Sequence, residues 1–532
     1  MTRTPRVVRN DWSRVPVPQL AGWRPTLTVS VIVPAFQCQQ TLDLTLAALS
    51  RQTYPAELLE VVVVDDGSEP ALVLPPLRPD RTRLIRLADS TAGWGRAYAL
   101  AQGAARSSGE ILHWLDADMV AFPDHVAAQA RWHHLLPYAV TLGYKRFVEP
   151  AAGGSWPEPG AVVAAWERAA AGELFGGDEG EPHTYVERYI AQTDQLRSAD
   201  HLAFRIHVGA TAALRRELYD AAGGFDVELR LGEDTEFGYR LAQAGAVFVP
   251  EPAARSWHLG RTQVMRARAQ VSRYNQPFFA DRIPYPRHWR KVGGTSWSVP
   301  LAEVVVPATD APLEQVRAAV DSVLRGTESD VRVHLVGPWQ RLDRGRVRVL
   351  VDPVLDLQLL AATYRGEPRV RLVTEPPEAA FPAPYLLELP AAYGLKPDGL
   401  RSLIAVADRH QVGLVQVDTP GAGSPARLWR TAAVSRSRWV REPDESLVEV
   451  VSEVFGRRDA TAEAAGLVDL TGWAAAELAA GIPAAANVGR RAPRLAPSTV
   501  EVGGVRSWLR ATAVVAWLVA RRMREMLRFG RR

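Results

Sequence analysis

The chain has 532 residues, of which 47% are hydrophobic and 23% charged, values that exclude a wholly disordered or collagen-like chain. Its length allows about three domains, and its single cysteine, Cys38, excludes an intramolecular disulfide framework and favours a reducing compartment. Residues 506–532 carry a net charge of +7, which leaves −3 for the rest of a chain whose total is +4. Because the body of the chain has no basic stripe, nucleic acid is not an expected partner.

The N-terminal extension, residues 1–25, has no apolar stretch long enough for a signal peptide, which favours a cytoplasmic protein. Next, Val29–Pro34 and Val61–Ser68 begin with runs of β-branched residues that are typical of buried strands. Between them, Thr41–Arg51 carries leucines at helical spacing. A strand, a helix and a strand within about 40 residues predict a right-handed parallel crossover.

A further strand, predicted over Ile111–Leu115, leads into Asp116-Ala-Asp118. Residues i and i+2 of an extended segment point the same way, so both carboxylates can face one cation. Mg²⁺ and Mn²⁺ prefer oxygen ligands and hold phosphates with one or two protein carboxylates. Two solvated loop acids are the alternative, but a position beyond the carboxyl end of a parallel strand favours a ligand site.

Five motifs in this order resemble the family 2 glycosyltransferases: Val-Ile-Val-Pro-Ala-Phe at 31–36, Val-Val-Asp-Asp-Gly-Ser at 63–68, Leu-Asp-Ala-Asp at 115–118, Gly-Gly-Phe-Asp at 223–226 and Gly-Glu-Asp at 232–234. The resemblance covers residues 26–260 and implies a GT-A fold, a Rossmann-like α/β domain for nucleotide-diphospho-sugars, which we place at residues 26–295. It also implies a nucleotide-sugar donor, a divalent metal (Mn²⁺ or Mg²⁺) and inversion at the anomeric carbon.

The same resemblance implies which residues hold the nucleoside. Pro34, Ala35 and Phe36 would line its pocket, and Asp65 or Asp66 would accept a hydrogen bond from the base or the ribose. An ionised aspartate is an acceptor only, so it suits an N–H or hydroxyl donor. A plain turn is the other interpretation of Asp-Asp-Gly-Ser.

Metal and diphosphate contacts are implied at four further positions. Asp118 would bind the metal, and Asp116 would contact the ribose, or the metal through a water. His258 matches the position of a histidine ligand in many GT-A enzymes, although a lone histidine is more often structural. The Asn-x-Gly start and Arg-Asn pair usual in the family are missing before Asp116, and Arg96 is the cation left to meet the diphosphate.

An inverting transfer needs a carboxylate opposite the leaving group to take the proton of the acceptor hydroxyl. The resemblance assigns this role to Asp234, with Glu233 as the second candidate. Acidic residues at the start of a helix also complement its dipole, which is the purely structural explanation for both.

Residues 140–205 predict an inserted helix pair with a mobile loop.

Residues 300–440 repeat the pattern of the first domain. Pro307 follows a Val-rich run as Pro34 does, at an offset of 273, and Pro397 corresponds to Pro123 at an offset of 274. In that register Pro390-Ala-Ala392 takes the place of the Asp-Ala-Asp motif. The repeat predicts a degenerate, non-catalytic GT-A-like α/β domain over residues 296–440, and an unrelated α/β domain is the alternative.

The last part of the chain is predicted as a helical segment at 441–492, a linker at 493–504 and a basic amphipathic helix at 505–532. The longest uncharged stretch of that helix has ten residues, too few to span a membrane. The helix suits an anionic membrane surface, where lipid-linked sugars reside, which would place the protein at the inner face of the cell membrane. Packing on protein is the alternative.

Together these features predict a metal-dependent inverting glycosyltransferase. It would move a sugar from a nucleotide-diphosphate sugar, with uridine diphosphate as the expected nucleotide, to a hydroxyl of a cell-envelope glycan, lipid-linked or secondary-metabolite acceptor. One alternative is a retaining GT-A transferase resembling the polypeptide N-acetylgalactosaminyltransferases, and another is a non-catalytic glycan-binding or scaffold protein. Product stereochemistry separates the two enzymes, and metal-dependent donor turnover excludes the scaffold.

Overall fold

The computed structural model describes residues 3–472, except for 88–90, 151–153, 171, 173, 176–179, 291–295, 310 and 343–344. Residues 1–474 form one compact unit. The predicted linker at 493–504 and the predicted basic helix at 505–532 lie outside the described residues. Within the described part of the chain, no helix is long and apolar enough to cross a membrane.

The first half is built on a mixed sheet. Its strands are β1 (Val29–Ala35), β2 (Leu59–Asp65), β3 (Thr82–Arg86), β4 (Ile111–Trp114), β5 (Met119–Ala121), β6 (Ala139–Val148), β7 (Glu181–Pro182), β8 (Ala212–Arg215) and β9 (Val247–Leu259). The order is β3-β2-β1-β4-β8-β6-β9-β5, with β7 paired to β6. The first four strands of this order are parallel, and β8 is antiparallel to both β4 and β6.

Helices cover both faces of this sheet. They are α1 (Gln39–Leu49), α2 (Arg96–Ala105), α3 (His125–His133), α4 (Pro159–Glu167), α5 (Thr184–Gln192), α6 (Arg216–Ala221), α7 (Glu233–Gln243), α8 (Gln263–Arg266) and α9 (Arg268–Arg282). Ile32 and Val64 pack with α2 on one face, whereas Val31 and Val33 pack with α1 on the other. Burial on both faces explains the uninterrupted apolar runs of β1 and β2.

The second half contains a second sheet. Its strands are β10 (Ala302–Pro307), β11 (Val331–Val336), β12 (Val370–Val373), β13 (Tyr385–Glu388), β14 (Tyr393–Leu395), β15 (Leu414–Asp418), β16 (Ala426–Arg430), β17 (Arg457–Thr461) and β18 (Leu467–Asp469). Its helices are α10 (Leu313–Leu324), α11 (Leu355–Tyr364), α12 (Gly399–His410), α13 (Thr431–Val440) and α14 (Leu447–Val454). Seven strands run in the order β12-β11-β10-β13-β16-β15-β17, and β14 pairs with β18 separately.

The second sheet has the topology of the first. Val29 pairs with Leu59 and Ile111 at the start of β1, and Ala302, 273 residues later, pairs in the same way with Val331 and Tyr385. As in the first half, an antiparallel strand, β16, follows the parallel group, with β15 beside it. This is the arrangement that the sequence repeat predicts.

The two halves differ where the first half gathers its charges. In the first half α2, which begins at Arg96, connects β3 to β4. In the second half α11 precedes β12, and residues 374–384, all of them described, contain no helix between β12 and β13. The Asp-Ala-Asp motif between β4 and β5 is matched by Pro390-Ala-Ala392 between β13 and β14. The second sheet therefore keeps the scaffold without those acidic groups.

Residues 441–472 differ from the helical segment that the sequence predicts. Only α14 is a regular helix there, and it is followed by β17, parallel to β15, and β18, antiparallel to β14. These strands extend the second domain beyond residue 440. The sequence of β17, Arg-Arg-Asp-Ala-Thr, lacks an apolar run because an edge strand exposed on its surface needs none. The rest of the predicted segment, 473–492, lies outside the described residues.

Arg436 on α13 joins the two halves and the N-terminal extension. Its side chain is 1% exposed, and its guanidinium donates hydrogen bonds to the carbonyl oxygens of Gly245, Ala246 (2.9 Å), Val7 (3.2 Å) and Arg9 (3.0 Å). Burial lowers the pKa of Arg436 to about 10, so the group stays charged at neutral pH. A buried charge is tolerated when its donors find acceptors, and here carbonyl oxygens accept from four of the five guanidinium N–H groups.

Replacing this residue, Arg436→Leu, should lower the free energy of unfolding by about 3 kcal/mol, because buried carbonyl groups lose their donors. Arg438→Leu is the matched control on the same helix. Its ion pair with Glu378 is exposed on both sides, so the expected change is below about 0.5 kcal/mol. Denaturant unfolding followed by circular dichroism measures both, and equal losses would contradict the role given to Arg436.

Candidate active site

Charged side chains converge at the edge of the first sheet where its parallel strands end. Asp65 ends β2, Asp116 and Asp118 follow β4, and Glu233 begins α7. His258 arrives from β9, because the antiparallel pairing of β5 with β9 places it opposite Met119. The fold therefore brings together residues that are up to 193 positions apart in the chain, Asp65 and His258, as is expected for a ligand site in a parallel sheet.

The two aspartates of the Asp-Asp-Gly-Ser turn have different surroundings. Asp65 is fully buried, and its two carboxylate oxygens accept hydrogen bonds from the backbone N–H groups of Ser68 (2.9 Å) and Leu72 (3.2 Å). Asp66 is partly exposed and accepts one from the N–H of Gly95 (2.7 Å). Burial raises the pKa of Asp66. Asp65 thus shapes the turn, and Asp66 is the carboxylate presented to the site.

Exposed aromatic rings flank Asp66. Its backbone N–H donates to the carbonyl of Ala35 (2.9 Å), so the turn lies against the end of β1, where Phe36 is 55% exposed and Pro34 is half-buried. Trp94, the residue before Gly95, is also exposed, and the guanidinium carbon of Arg230 lies 4.6 Å from its ring centroid. Sequence reasoning missed Trp94, which carries no motif. A flat ligand group could stack at this edge.

Arg96 is clamped by two carboxylates. Its Nε donates to Asp116 Oδ1 (2.9 Å) and its Nη1 donates to Glu233 Oε1 (2.7 Å). Burial pushes the pKa of Asp116 up, but the Arg96 guanidinium outweighs this and holds that pKa below its usual value. Burial also raises the pKa of Glu233, against the effect of Arg96. The guanidinium of Arg96 is therefore paired with two carboxylates of the protein, Asp116 and Glu233.

Asp118 and His258 lie next to each other, and Asp118 has a carboxylate oxygen without a hydrogen-bond donor among the described residues. Their Oδ2 and Nε2 atoms lie 3.7 Å apart, and the buried Oδ1 of Asp118 accepts no hydrogen bond among the described residues. Burial and the neighbouring Asp116 raise the pKa of Asp118 to about 7. Burial lowers the pKa of His258 to about 4, so the ring is neutral. An orphaned carboxylate oxygen beside a neutral imidazole is a donor set that fits a divalent cation.

A metal site made wholly of protein side chains is not found. No group of three His, Cys, Asp or Glu side chains that could hold a metal occurs within the described part of the chain. Asp116 is held by Arg96, which leaves Asp118 and His258 as the fitting pair. Any cation bound there needs further oxygen ligands from substrate or water.

Asp234 has a freer carboxylate than its neighbour Glu233. Its Oδ1 accepts the backbone N–H of Thr235 (2.7 Å), its Oδ2 lies 3.4 Å from the N–H of Gly209, and the residue is partly exposed, whereas Glu233 is buried. The helix starts here because Gly232 takes a φ of +78°, and a Cβ at this position would lie 2.5 Å from a ring atom of Phe279.

Lys145 on β6 is a site residue that the sequence analysis did not identify. The residue is 5% exposed, and the charges of Asp116, Asp118 and Asp234 act on its ammonium group. Its ammonium lies 5.8 Å from the ring centroid of Phe147. The available signal was a lysine within an apolar strand, two residues before a buried phenylalanine and therefore on the same face of the strand.

The predicted helix pair between β6 and β8 is present as α4 and α5, and α5 contributes an exposed aromatic residue. A series of ring contacts runs from His258 through Phe147 (5.0 Å) and His183 (5.4 Å) to Tyr185 (4.7 Å between the last two rings). Tyr185 is 51% exposed. The start of α5 thus lies beside the site.

Two family models match the part of the chain that contains this site. The model of "Glycosyl transferase family 2" matches residues 30–221, and that of "Glycosyl transferase family 21" matches residues 180–284. Together with the mixed sheet, the match confirms the predicted GT-A-like α/β fold. The crystal structure of GalNAc-T7 with UDP, GalNAc and Mn²⁺ shares 18% identity, covers 50% of this chain and 54% of that one, and has a TM-score of 0.31.

Curated relatives are similar over part of their length. Chondroitin synthase of Pasteurella multocida is 25% identical over 65% of this chain and 36% of that protein. Validoxylamine A glucosyltransferase of Streptomyces hygroscopicus subsp. limoneus is 29% identical over 48% of this chain and 56% of that protein. The chain therefore spans less than two thirds of the length of either relative.

The Arg96 clamp predicts a double-mutant result. Arg96→Leu should lower the free energy of unfolding by about 3 kcal/mol, because the buried Glu233 carboxylate loses its counter-charge. Adding Glu233→Leu should recover part of that loss, since it removes one of the two carboxylates left without a counter-charge, whereas Asp116 stays unpaired. Arg86→Leu, which breaks an exposed pair with Glu69, should cost less than about 0.5 kcal/mol. Chemical denaturation measures the series, and additive losses would contradict the clamp.

Proposed function

We propose, from the premise that residues 30–221 belong to glycosyl transferase family 2, that the protein transfers a sugar from a nucleotide-diphosphate sugar to a hydroxyl of an acceptor. The observation that carries this proposal is the meeting of Asp66, the Asp118–His258 pair and Asp234 at one edge of the sheet. These groups supply an acceptor for a nucleoside, ligands for a cation and a base. A scaffold protein would not need an orphaned carboxylate oxygen and a partly exposed base together in one cleft.

Uridine diphosphate is the nucleotide proposed for the donor. Asp66 presents a carboxylate that suits the N–H of uracil or a ribose hydroxyl, and Phe36, 55% exposed, follows Ala35, whose carbonyl accepts from the Asp66 N–H. Pro34 and Ala35 bring the end of β1 to the same turn. Asp65 supports the nucleoside site through the backbone of that turn.

Asp118 and His258 are proposed to hold Mn²⁺ or Mg²⁺. A cation bound there would neutralise charge on the diphosphate leaving group. The carboxylate of Asp118 has a raised pKa in the absence of such a charge, as is expected of a ligand beside another carboxylate. The remaining ligands would be oxygens of the donor.

Asp234 is the proposed base. The acceptor hydroxyl oxygen attacks the anomeric carbon from the side opposite the diphosphate, its proton passes to the Asp234 carboxylate, and the bond between the anomeric carbon and the diphosphate breaks, which inverts the anomeric configuration. Glu233 is buried and held by Arg96, so it is a positioning residue rather than the base. A product with the same anomeric configuration as the donor would contradict inversion and indicate a retaining transferase.

The acceptor is proposed to be a glycan or a hydroxylated small molecule. One relative is named for a polysaccharide, chondroitin, and another for glucosylation of validoxylamine A. Tyr185 of α5, which is 51% exposed, is proposed to contact the acceptor. The second domain, which lacks the acidic motif in its described residues, is proposed to be non-catalytic.

Turnover should depend on Asp234. Asp234→Asn should lower kcat by about 10³-fold, because the proton acceptor is lost, and it should leave the Kd for uridine diphosphate within about threefold, since the base does not hold the nucleotide. Glu233→Gln keeps the shape of the neighbouring side chain and should retain more activity. Steady-state release of nucleotide together with calorimetric binding checks both, and the reverse ranking would assign the base to Glu233.

Nucleotide binding should depend on a metal through Asp118. Mn²⁺ should strengthen the binding of uridine diphosphate at least tenfold in the wild type, by analogy with about 1.4 kcal/mol for one charge-assisted contact. Asp118→Asn should remove that enhancement. Asp220→Asn, an exposed aspartate of the same domain, is the control and should keep it. Isothermal titration calorimetry with and without Mn²⁺ gives the answer, and a metal effect that survives Asp118→Asn would exclude this ligand.

A further inference from the structure

We propose that Lys145 binds the diphosphate of the donor and stabilises it as the leaving group. The inference rests on the proposed function and adds a contact that the motifs do not contain. Lys145 lies on β6, whose pairing with β9 places it opposite Ser256, two residues before His258. It therefore stands on the strand next to the proposed metal ligand.

The charges around Lys145 leave it without a committed partner. Asp116, Asp118 and Asp234 act on it electrostatically, but Asp116 is already held by Arg96. Burial, and then Lys145 itself, lower the pKa of the nearby His183 to about 3. Glu233 is paired with Arg96. Among the described residues, Lys145 is thus a cation beside the proposed metal ligands whose charge is not consumed by an ion pair.

The ammonium group has no polar partner. The residue is 5% exposed, and Nζ makes no ion pair and donates no hydrogen bond within the described part of the chain. Nζ is not among the fully buried side-chain atoms without a partner, so it can be reached from the cleft. An ammonium has three N–H donors that need acceptors. The oxygens of a diphosphate would supply these acceptors.

The ligand class follows from the arrangement of positive groups. The Asp118–His258 pair offers a position for one cation, and Lys145 provides a second positive charge from the neighbouring strand. Lysine binds phosphate as a compact point charge, without the planar geometry of arginine. A diphosphate can meet both positions at once, whereas a nucleoside monophosphate has one phosphate to share. The site should therefore prefer diphosphates to monophosphates because of Lys145.

The test compares Lys145→Met with Arg146→Met, the adjacent basic residue, which is exposed and points to the opposite face of the strand. Calorimetry would measure the binding of uridine diphosphate, uridine monophosphate and inorganic pyrophosphate, each with and without Mn²⁺. Lys145→Met should weaken the binding of uridine diphosphate and pyrophosphate by about 10- to 100-fold and that of the monophosphate by less than about threefold. Arg146→Met should change none of them by more than about twofold. Lys145→Arg should restore part of the loss.

The outcomes separate this inference from the proposed function. Pyrophosphate binding that depends on Lys145, without binding of uridine diphosphate, would support the inference and overturn the proposed nucleotide. Unchanged binding in Lys145→Met, or an equal loss for the monophosphate and the diphosphate, would overturn the inference while leaving the nucleotide site. Absence of binding of any probe to the wild type would overturn both. Thermal unfolding verifies that each variant is folded, and Lys145→Arg provides the comparison if Lys145→Met is not.

Discussion

The clamp of Arg96 between Asp116 and Glu233 is the interaction on which the rest of the site depends. Four carboxylates, those of Asp116, Asp118, Glu233 and Asp234, meet at one partly buried edge, where mutual repulsion would otherwise separate them or force protonation. One guanidinium joins the end of β4 to the start of α7 and neutralises the two more enclosed carboxylates. Asp118, after β4, and Asp234, on α7, are left for chemistry, and both act electrostatically on Lys145 of β6.

The second half shows what the same topology becomes without that clamp. Its parallel strands pair in the register of the first half, but the connection between β12 and β13 contains no helix that could carry a counterpart of Arg96. Its loop after β13 is apolar and needs no counter-charge. The contact between this half and the first uses backbone groups instead of carboxylates. The buried Arg436 donates hydrogen bonds to backbone carbonyls of both the first domain and the N-terminal extension.

The fold of the first half and most of its site could be predicted from the sequence. Strands buried on both faces, such as β1 and β2, consist of uninterrupted β-branched residues, and the acidic motifs follow the ends of strands. Polar edge strands such as β17 leave no such pattern, which is why the segment after residue 440 was predicted to be helical. The roles within Asp65–Asp66 and Glu233–Asp234 depended on backbone contacts that spacing does not encode. Lys145 was missed because the titratable groups around it come from β9, α7 and the loop after β4, and only the folded sheet brings those together.

The central claim, a nucleotide-sugar site at the edge of the first sheet, is tested most directly by a crystal structure of the protein with uridine diphosphate and Mn²⁺. The account predicts uracil beside Asp66, the metal on Asp118 and His258, and diphosphate oxygens within hydrogen-bond distance of Lys145 Nζ. A nucleotide bound at another surface, or crystals grown at saturating nucleotide with this cleft empty, would contradict it.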